Sequence, residues 1–503
     1  MSASVEHEIK LIAPVDFQLP DPDGIVAGLS AGPFSHLELD ATYFDTDELA
    51  MARSGITVRY RTGETGRPWT VKLPQRANGS ALTRRELRFD GDPDTVPDAA
   101  ADLVRAHVRS HRLRPVLRLH TQRTVVPLLD IEGDPVAELA DDLVTAYNGP
   151  TQTGTFREVE VEFTQHAQHA NHLQRAAIAW LTAAGCRLDT PLPKLTRALG
   201  QRATAPPEVT IVPLDAEPTV VELIRHSISA STDRLIRHDA GVRLGDDPED
   251  VHQVRVAART LRSNLKTFAP QLAHEWNQQL RADLRWVGAE AGGVRDLDVL
   301  GHRLRRRIAD LRSEDSAAAA ILLAQLTARR DAARTRMLTA LRSERYDRLL
   351  DSLVFASRTP SLDPDASTDT PARAFVRSAA HTQVRRLARS IAAVGEPATD
   401  TDLHLIRIQA KRTRYAIEAA RPVIGHPAAE HAAALARLQD VLGDLHDSIV
   451  AVHWLRDAAA AQPACALGAG QLIAAEYVDQ ASLRNLVYPA LHAATAKHLR
   501  HWL

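Results

Sequence analysis

VHQVRVAARTLRSNLKTF, at positions 251–268, has a counterpart at positions 403–420, LHLIRIQAKRTRYAIEAA. In both stretches, charged or histidine side chains recur at steps of three, four, three and four residues, the spacing of one helix face. Each counterpart lies 152 positions further on. The first set is His252, Arg255, Arg259, Arg262 and Lys266, and the second is His404, Arg407, Lys411, Arg414 and Glu418. We call these residues, without Glu418, the basic stripes.

A single charged helix face is usually solvated surface. Two observations favour a binding surface instead. A matched motif follows each stripe: GGVRDLDVL around Asp296 and LGDLHDSIV around Asp447. Each helix also has a second, largely apolar face, which lets it pack while it presents its cations. Two such stripes facing one another would form a basic cleft, which predicts a long polyanion as ligand. The apolar faces are Val251, Val254, Ala258, Leu261 and Leu265, and Leu403, Ile406, Ala410, Thr413 and Ile417.

Four segments resemble the CHAD domain, a helical domain that binds inorganic polyphosphate. They are VHQVRVAARTLR, VRDLDVL, LHLIRIQAKRTRYAIE and LQDVLGDLHDSIV. The resemblance covers about residues 218–503. It implies an all-α domain of two pseudo-symmetric helical-bundle halves, about 219–358 and 372–503, whose basic stripes bind polyphosphate.

Composition limits the class of protein. The 503 residues leave room for two domains or more, and 61 Lys and Arg against 63 Asp and Glu leave almost no net charge. A polyanion site must therefore come from local segregation of charge. The two cysteines, Cys186 and Cys465, argue against a disulfide framework and fit a reducing cytoplasm. We expect a cytoplasmic protein without a membrane segment, and association with polyphosphate granules is an open alternative.

The first 165 residues or so alternate with a period of two between turn signals, which predicts antiparallel strands. Eight strands in under about 200 residues suggest a closed barrel, so the predicted fold is an α+β tunnel followed by the all-α domain. Helices are expected near 99–111 and 166–184. The predicted strands are 5–12, 36–44, 56–61, 69–73, 81–89, 115–127, 136–140 and 155–163.

Charges recur at alternate positions in several of these strands, so they share one face of each strand. An outward, half-solvated face is the ordinary explanation for any one strand. A charged barrel interior is the alternative, and it is tolerable only if it is wet and holds metal and polyanion. Carboxylates two residues apart can share Mg²⁺ or Mn²⁺, and Arg and Lys can clamp phosphate. The alternating sets are Glu6, Glu8 and Lys10; Arg59 and Arg61; Thr70 and Lys72; Arg84, Glu86 and Arg88; and Glu158, Glu160 and Glu162.

In this order, EHEIK, YFDT, TVRYR, TVK, TRRE, FREVEVEF and KLTRAL resemble the CYTH domain, the triphosphate tunnel metalloenzyme fold. The resemblance implies an eight-stranded tunnel that hydrolyses triphosphate or short polyphosphate with Mg²⁺ or Mn²⁺. It implies that Glu6, Glu8, Glu160 and Glu162 bind metal and activate water, and that Glu86 and Glu158 orient cations. It further implies that phosphate is bound by Lys10, Arg59, Arg61, Lys72, Arg84, Arg123 and Lys194.

Two assignments stay open at this point. The acidic position on the seventh predicted strand is Asp141 or Asp142, in AELADD, and sequence alone does not choose; we take Asp141 as the metal ligand. Histidines of the stripes are read as phosphate-contacting or helix-positioning donors rather than zinc ligands, because their spacing shows no converging set.

The expected layout is a tunnel domain at 1–200, a linker at 201–218 and the helical domain at 219–503. A triphosphatase whose helical domain holds polyphosphate is the first functional hypothesis. A non-catalytic polyphosphate binder, with the barrel as a phosphate sensor, is the second. Nucleic acid is disfavoured, because Phe268 and Tyr415 are the only aromatics in the two stripe helices and offer no stacking platform. Adenylyl cyclase activity is a further, less favoured hypothesis.

Overall fold

A computed structural model of the chain describes residues 2–23, 25–26, 28–74, 82–163, 170–188, 192–311, 316–395 and 398–503. For 2–7, 82–83, 170–171 and 316 it describes the backbone alone. The chain forms two compact units, Met1–Glu208 and Val209–Leu503. The boundary between them falls within the predicted linker, whose first residues form a short helix.

The first unit is built on a closed antiparallel barrel, as predicted. Its eight long strands run in the spatial order β1, β6, β5, β4, β3, β7, β8, β9, and β9 pairs back onto β1. The strands are β1 (Ser2–Ala13), β2 (Ser30–Ala31), β3 (Ser35–Asp45), β4 (Thr57–Thr62), β5 (Trp69–Pro74), β6 (Leu82–Phe89), β7 (Arg114–Leu129), β8 (Pro135–Asn148), β9 (Thr151–Phe163) and β10 (Arg187–Leu188). The helices are α1 (Asp98–Val108), α2 (Ala170–Ala183), α3 (Lys194–Leu199) and α4 (Gln201–Thr204).

Strand alternation divides the apolar residues of the barrel between its two faces. On the outer face of β1, Ile9 and Leu11 pack against Leu181 of helix α2. On the inner face, Leu119 and Val144 cluster with Leu195 of α3. The remainder of the inner face carries charged side chains, so part of the barrel interior is polar. Both predicted helices of this unit are present, although positions 166–169 of the second lie outside the described residues.

Strand β8 is the main departure from the predicted strands, since it extends to Asn148 instead of ending at 140. Aspartate has a low preference for strands, and β8 nevertheless continues through Asp141 and Asp142. Ion pairs with arginines on the two neighbouring strands compensate for the low strand preference of the two aspartates. Arg157 of the next strand contacts Asp141, and Arg123 of the preceding one contacts Asp142, each through paired 2.7–2.8 Å hydrogen bonds.

The second unit is all-helical, as predicted; most of its helices pack against the next helix in the chain, and α9 packs against α5. The two stripe helices, α6 and α11, also pack against one another. Among the described residues the helices are α5 (Val220–Leu244), α6 (Pro248–Thr267), α7 (His274–Ile308), α8 (Ser316–Leu341), α9 (Glu344–Arg358), α10 (Ala372–Ala392), α11 (Asp400–Ile424), α12 (His426–Ala461) and α13 (Ala466–Ala494).

Local sequence explains where the stripe helices begin and which face they bury. Asp247 caps α6 ahead of Pro248, and Thr399 forms a capping box with Asp402 at the start of α11. Every residue of the two predicted apolar faces is buried, from Val251 on α6 to Ile417 on α11. This confirms that each helix packs through one face and keeps its basic stripe on another.

The segment at 359–371, whose composition predicts disorder, is instead held in place. Ala273 donates a backbone hydrogen bond to Ser361, and Val220 donates one to Thr370. Within the described part of the chain, no helix has the length and apolar character needed to cross a membrane.

Candidate functional site

The polar part of the barrel interior is a cavity of about 160 Å³. Alternate residues of the strands face it, because side chains on a strand project to opposite sides in turn. It is lined by both cations and carboxylates, which is the charge arrangement expected from the sequence. The charged lining residues are Glu8, Lys10, Arg59, Arg61, Glu64, Lys72, Arg84, Glu86, Arg88, Arg123, Glu138, Glu160, Glu162 and Lys194.

Glu160 lies at the centre of a group of cations. Lys194 Nζ lies 2.7 Å from its carboxylate, Arg123 donates to it at 2.9 Å, and Lys10 forms a short ion pair with it. Burial alone would raise the pKa of Glu160, but Lys10, Lys194 and Arg123 hold that pKa well below its usual value. In this structure Glu160 therefore pairs with three cations, and its predicted role as a metal ligand stays a prediction.

Lys194 reaches this group from the first turn of α3. Its ammonium lies 2.9 Å from Asp142 and 2.8 Å from Glu158. Burial disfavours its charge, yet Asp142, Glu158 and Glu160 raise the pKa of Lys194 well above its usual value. Burial also raises the pKa of Glu158, against the effect of Lys194. The ammonium is thus fixed among three carboxylates on β8 and β9.

Asp142, and not Asp141, faces the interior. Asp142 is paired with Arg123 and Lys194, whereas Asp141 is paired with Arg157 on the opposite face of β8. Adjacent strand residues cannot project to the same side. The assignment of Asp141 as a metal ligand is therefore wrong.

A row of three carboxylates lines the cavity beside the cation group. Glu8 of β1 pairs in register with Glu162 of β9, which pairs in register with Glu138 of β8. Burial raises the pKa of Glu162; nearby Lys72 opposes this, whereas Glu8 and Glu138 add to it. The sequence prediction missed Glu138, although alternation from Asp142 along AELADD reaches it. We call Glu8, Glu138 and Glu162 the carboxylate row.

The positions of these side chains limit how a metal ion could be held. Among the side chains that the structure describes, no three carboxylate, imidazole or thiol groups converge closely enough to hold an ion by themselves. The side chain of Glu6, a predicted ligand, lies outside the described residues, and its backbone pairs with Arg84 on β6. Mg²⁺ commonly uses only one or two protein carboxylates and completes its shell with phosphate and water. The oxygen ligands of the carboxylate row fit that requirement.

The remaining predicted phosphate ligands also face the cavity. Arg59 lies 3.4 Å from the Tyr43 hydroxyl, and Lys72 lies 2.9 Å from Glu86. Glu86 also accepts from Arg88 at 2.5 Å, so it orients two cations. Arg84 is buried and lines the same space. All seven predicted phosphate-binding residues of the barrel therefore surround one cavity.

Glu64 was missed by the sequence prediction because it lies in a turn rather than a strand. The turn needs glycine at position 63, where φ is +96° and a Cβ atom would lie 1.9 Å from the Glu38 carbonyl oxygen. Glu64 accepts a 2.8 Å hydrogen bond from Arg61. Glu64 therefore reaches the cation-lined cavity from the turn between β4 and β5.

In the helical unit, the basic stripes of α6 and α11 come together as predicted. The guanidinium carbon of Arg259 lies 5.4 Å from the centre of the Tyr415 ring, and that of Arg414 lies 5.3 Å from it. Burial, followed by Arg407, Arg259 and Arg255, lowers the pKa of Lys411 to about 8. Cations from both helices therefore share one partly buried surface, which we call the basic cleft.

Buried donors in the cleft lack partners. The Nε atoms of Arg259 and Arg407 have no hydrogen-bond acceptor among the described residues. Arg255 is paired with Asp296 at 2.7 Å, and the nearby carboxylate of Asp447 acts on Arg407 in the equivalent place. The matched aspartates thus lie beside the stripes. Unpaired, partly buried guanidinium groups favour an anionic ligand.

Histidines at one end of the cleft lie close together. The rings of His404 and His446 are 5.3 Å apart. Burial and the neighbouring cations lower the pKa of His446, and burial with Arg295 lowers that of His252. The lowered pKa values of His252 and His446 favour the neutral form of both imidazoles, and their role as phosphate-contacting or helix-positioning groups stays a prediction.

The cleft extends beyond the predicted stripes. Burial and then Arg412, Arg281 and Arg386 lower the pKa of Lys266, and burial and then Arg285 and Arg281 lower that of Arg262. These four arginines are not part of the repeat, and they are spread over α7, α10 and α11. Their spacing in the sequence did not predict that they would lie near Lys266 and Arg262, because only the packing of the three helices brings them together.

Comparison with known proteins matches each unit to a family. The CYTH domain matches residues 4–185, and the CHAD domain matches residues 226–456. Proteins from two strains of Mycobacterium tuberculosis, themselves uncharacterized, are 32% identical over 473 residues, which is 88% of this chain and 87% of theirs.

Two solved structures resemble the helical unit. The CHAD domain from the plant Ricinus communis is 27% identical and covers 56% of this chain and 95% of its own, with a TM-score of 0.47. PptA from Streptomyces chartreusis is 23% identical and covers 54% of this chain and 99% of its own, with a TM-score of 0.45. With a CYTH match, a CHAD match and relatives aligned across both, the chain belongs to the family of proteins that join a CYTH domain to a CHAD domain.

Proposed function

We propose that the barrel hydrolyses inorganic triphosphate or short polyphosphate with the help of a divalent cation, and that the helical unit binds inorganic polyphosphate. Both domains support a role related to triphosphate or polyphosphate. The observation that carries the catalytic part is the meeting of two groups in one cavity: the cations proposed to bind phosphate, and the carboxylate row, of which Glu8 also lies 3.4 Å from Lys10.

The cations hold and orient the phosphate chain. Arg59, Arg61 and Arg84 project from β4 and β6 into the cavity, where a partly dry setting strengthens each contact with phosphate oxygen. Glu86 and Glu160 keep Lys72, Arg123 and Lys194 in place before substrate arrives. Such preorganisation is the main requirement of phosphoryl transfer.

The carboxylate row is placed to hold a cation beside the chain. Glu8, Glu138 and Glu162 would supply oxygen ligands. Mg²⁺ or Mn²⁺ bound there would neutralise charge on the phosphates and favour attack by water. Carboxylates of the row that do not bind the cation would orient that water and accept its proton.

The basic cleft is proposed to hold longer chains. Its stripes run along two packed helices, so their cations form a line rather than a single spot. Polyphosphate has negative charges at regular short intervals, and a line of cations can form ion pairs with several of them at the same time. Nucleic acid would gain the same contacts, but the facing stripes themselves carry only the Tyr415 ring, which lies against Arg259 and Arg414 and so does not offer a line of stacking surfaces.

Phosphate release tests the catalytic proposal. Wild-type protein is given tripolyphosphate, ATP or long-chain polyphosphate with Mg²⁺ or Mn²⁺. Glu8→Ala should abolish release from tripolyphosphate, whereas Glu132→Ala, a change at an exposed position in the β7–β8 turn, should leave it unchanged. No release from any substrate, with long chains still bound, would favour the alternative, a polyphosphate-binding protein whose barrel senses phosphate.

A further inference from the structure

A second cavity of the helical unit lies between the end of α6, α10 and α11, and its volume is about 380 Å³. That volume is within the range of sites for small organic ligands. It adjoins the extended basic cleft, and Lys266, Arg386 and Arg412 line both. One of its walls is cationic and the other is apolar, and this difference indicates what kind of molecule it would bind. We call it the α10 cavity.

One wall is cationic. Lys266 of α6, Arg386 of α10 and Arg412 of α11 each contribute a charged group to the cavity. In the part of the chain that the structure describes, none of the three is paired with a carboxylate. Three like charges from three helices repel one another, and an anion placed between them relieves that repulsion. The wall therefore fits a phosphate group with several negative charges.

The other wall is apolar. Pro270 follows α6, Phe375 projects from α10, and Ala416 lies on α11. The Phe375 ring is held in place by stacking on buried Phe268, at 6.0 Å between ring centres and 22° between planes. An ordered aromatic side chain with a partly open surface favours a flat or apolar group that would cover it.

Polar groups lie between the two walls. Ser378 and Thr382 face the cavity from successive turns of α10, and the side chain of Gln383 lies beside them. The Thr382 hydroxyl donates to the Ser378 carbonyl and Gln383 Oε1 accepts from Gln409, so the Ser378 hydroxyl and the Gln383 amide N–H groups are the ones that can bind a ligand. An unsubstituted phosphate chain would use the cationic wall alone and would leave the apolar wall in water. A ligand that joins phosphates to a flat heterocycle would use all three surfaces.

We propose that the α10 cavity binds a nucleoside polyphosphate, with its phosphates against Lys266, Arg386 and Arg412 and its base against Phe375. This binding is separate from hydrolysis in the barrel, and it does not require that the barrel be active. It would let a phosphorylated nucleoside compete with, or report to, the polyphosphate bound next to it in the cleft.

Photolabelling of the full chain tests this proposal. The probe is an azido derivative of ATP, used with EDTA so that no metal-dependent turnover occurs, and labelled peptides are mapped by mass spectrometry. Mapping separates the α10 cavity from any label in the barrel. We expect label within 263–270, 375–386 or 412–416. We also expect ATP to compete at least about tenfold better than tripolyphosphate, which lacks the base.

Three variants complete the test. Arg386→Glu should remove the label, while Arg385→Glu, at an exposed neighbouring position of the same helix that does not line the cavity, should retain it. Ser378→Trp should also remove it by filling the space from an exposed helix position, where the fold tolerates a larger side chain. Equal competition by tripolyphosphate and ATP, or label absent from all three segments, would overturn the proposal.

Discussion

Glu64 accepts a hydrogen bond of 2.8 Å from Nε of Arg61 inside the barrel cavity, and it lies 3.9 Å from Arg88. Burial, together with Arg59, lowers the pKa of Arg61 to about 10, and Glu64 works against that change. The Glu64 carboxylate is thus hydrogen-bonded to the Arg61 guanidinium, which the proposed reaction would use to bind phosphate. Binding of phosphate to Arg61 must overcome this competing ion pair.

Glu64→Gln should therefore tighten binding of tripolyphosphate. Removing one negative charge that competes for Arg61 should lower KM by about three- to tenfold, with a smaller change in kcat. Steady-state kinetics give both values, and calorimetry in EDTA gives the binding affinity without turnover. Glu132→Gln, at an exposed site, is the matched control. A raised KM would show that Glu64 positions Arg61 instead of competing for it.

Glu160 should make the stability of the barrel depend on acid pH. Its pKa is held well below the usual value by Lys10, Lys194 and Arg123, despite burial. A carboxyl group of this kind contributes stability above its unfolded pKa of about 4.3, and that stability is lost as pH falls towards the folded value. Thermal unfolding between pH 7 and pH 3 should show the loss in the wild type. Glu160→Gln should be less stable at pH 7 and should depend less on pH, whereas Glu132→Gln should follow the wild type.

The line of cations should determine how strongly polyphosphate binding depends on salt. Arg255→Glu with Arg407→Glu should weaken binding of long chains by about a hundredfold or more, because two attractions become repulsions. By analogy with nucleic acids, fewer cation–phosphate contacts also flatten the plot of affinity against salt. Binding measured at several salt concentrations gives both quantities.

Two exposed arginines on other helices provide the control for that experiment. Arg237→Glu with Arg348→Glu makes the same change in net charge outside the cleft. Near-wild-type binding is expected from this pair. If the cleft variant bound as well as the control, the basic stripes would not be the site.

Lys411 should make polyphosphate binding sensitive to alkaline pH. Burial and three neighbouring arginines lower its pKa to about 8, so it loses its positive charge as pH rises through that value. The lost charge weakens the attraction for phosphate, and affinity should fall between about pH 7 and pH 9. Lys411→Arg keeps the charge, so its affinity should change less over that interval. Equal pH profiles for wild type and variant would exclude Lys411 as the source.

Much of the fold follows from local patterns in this chain. The spacing of His252, Arg255 and Arg259 places them on one helix face, and the alternation of Glu158 and Glu160 places both on one strand face, whatever surrounds them. Asp247 and Thr399 mark helix starts by capping backbone N–H groups that lack partners. The helix and strand faces depend on neighbours within about one turn or two strand positions, and for that reason sequence reasoning reached them; the caps are equally local but were not predicted.

Local patterns in the sequence could not predict contacts between segments that are far apart in the chain. Asp141 and Asp142 are equivalent in sequence, and only the register of β8 against β7 and β9 turns Asp142 inward. Glu138 becomes part of the carboxylate row because β9 lies between β8 and β1. Likewise, Arg386 and Arg412 join Lys266 only through the packing of α10 and α11 on α6.

The sequence by itself thus determined the two-domain class, the faces of the strands and helices, and the types of charge that each face carries. Tertiary structure decided which charges meet: cations around Glu160, carboxylates in a row at Glu8, Glu138 and Glu162, and unpaired cations at the α10 cavity. The physical reason is that electrostatic interaction depends on distance and burial, and both are properties of packed neighbours that lie far apart in the chain.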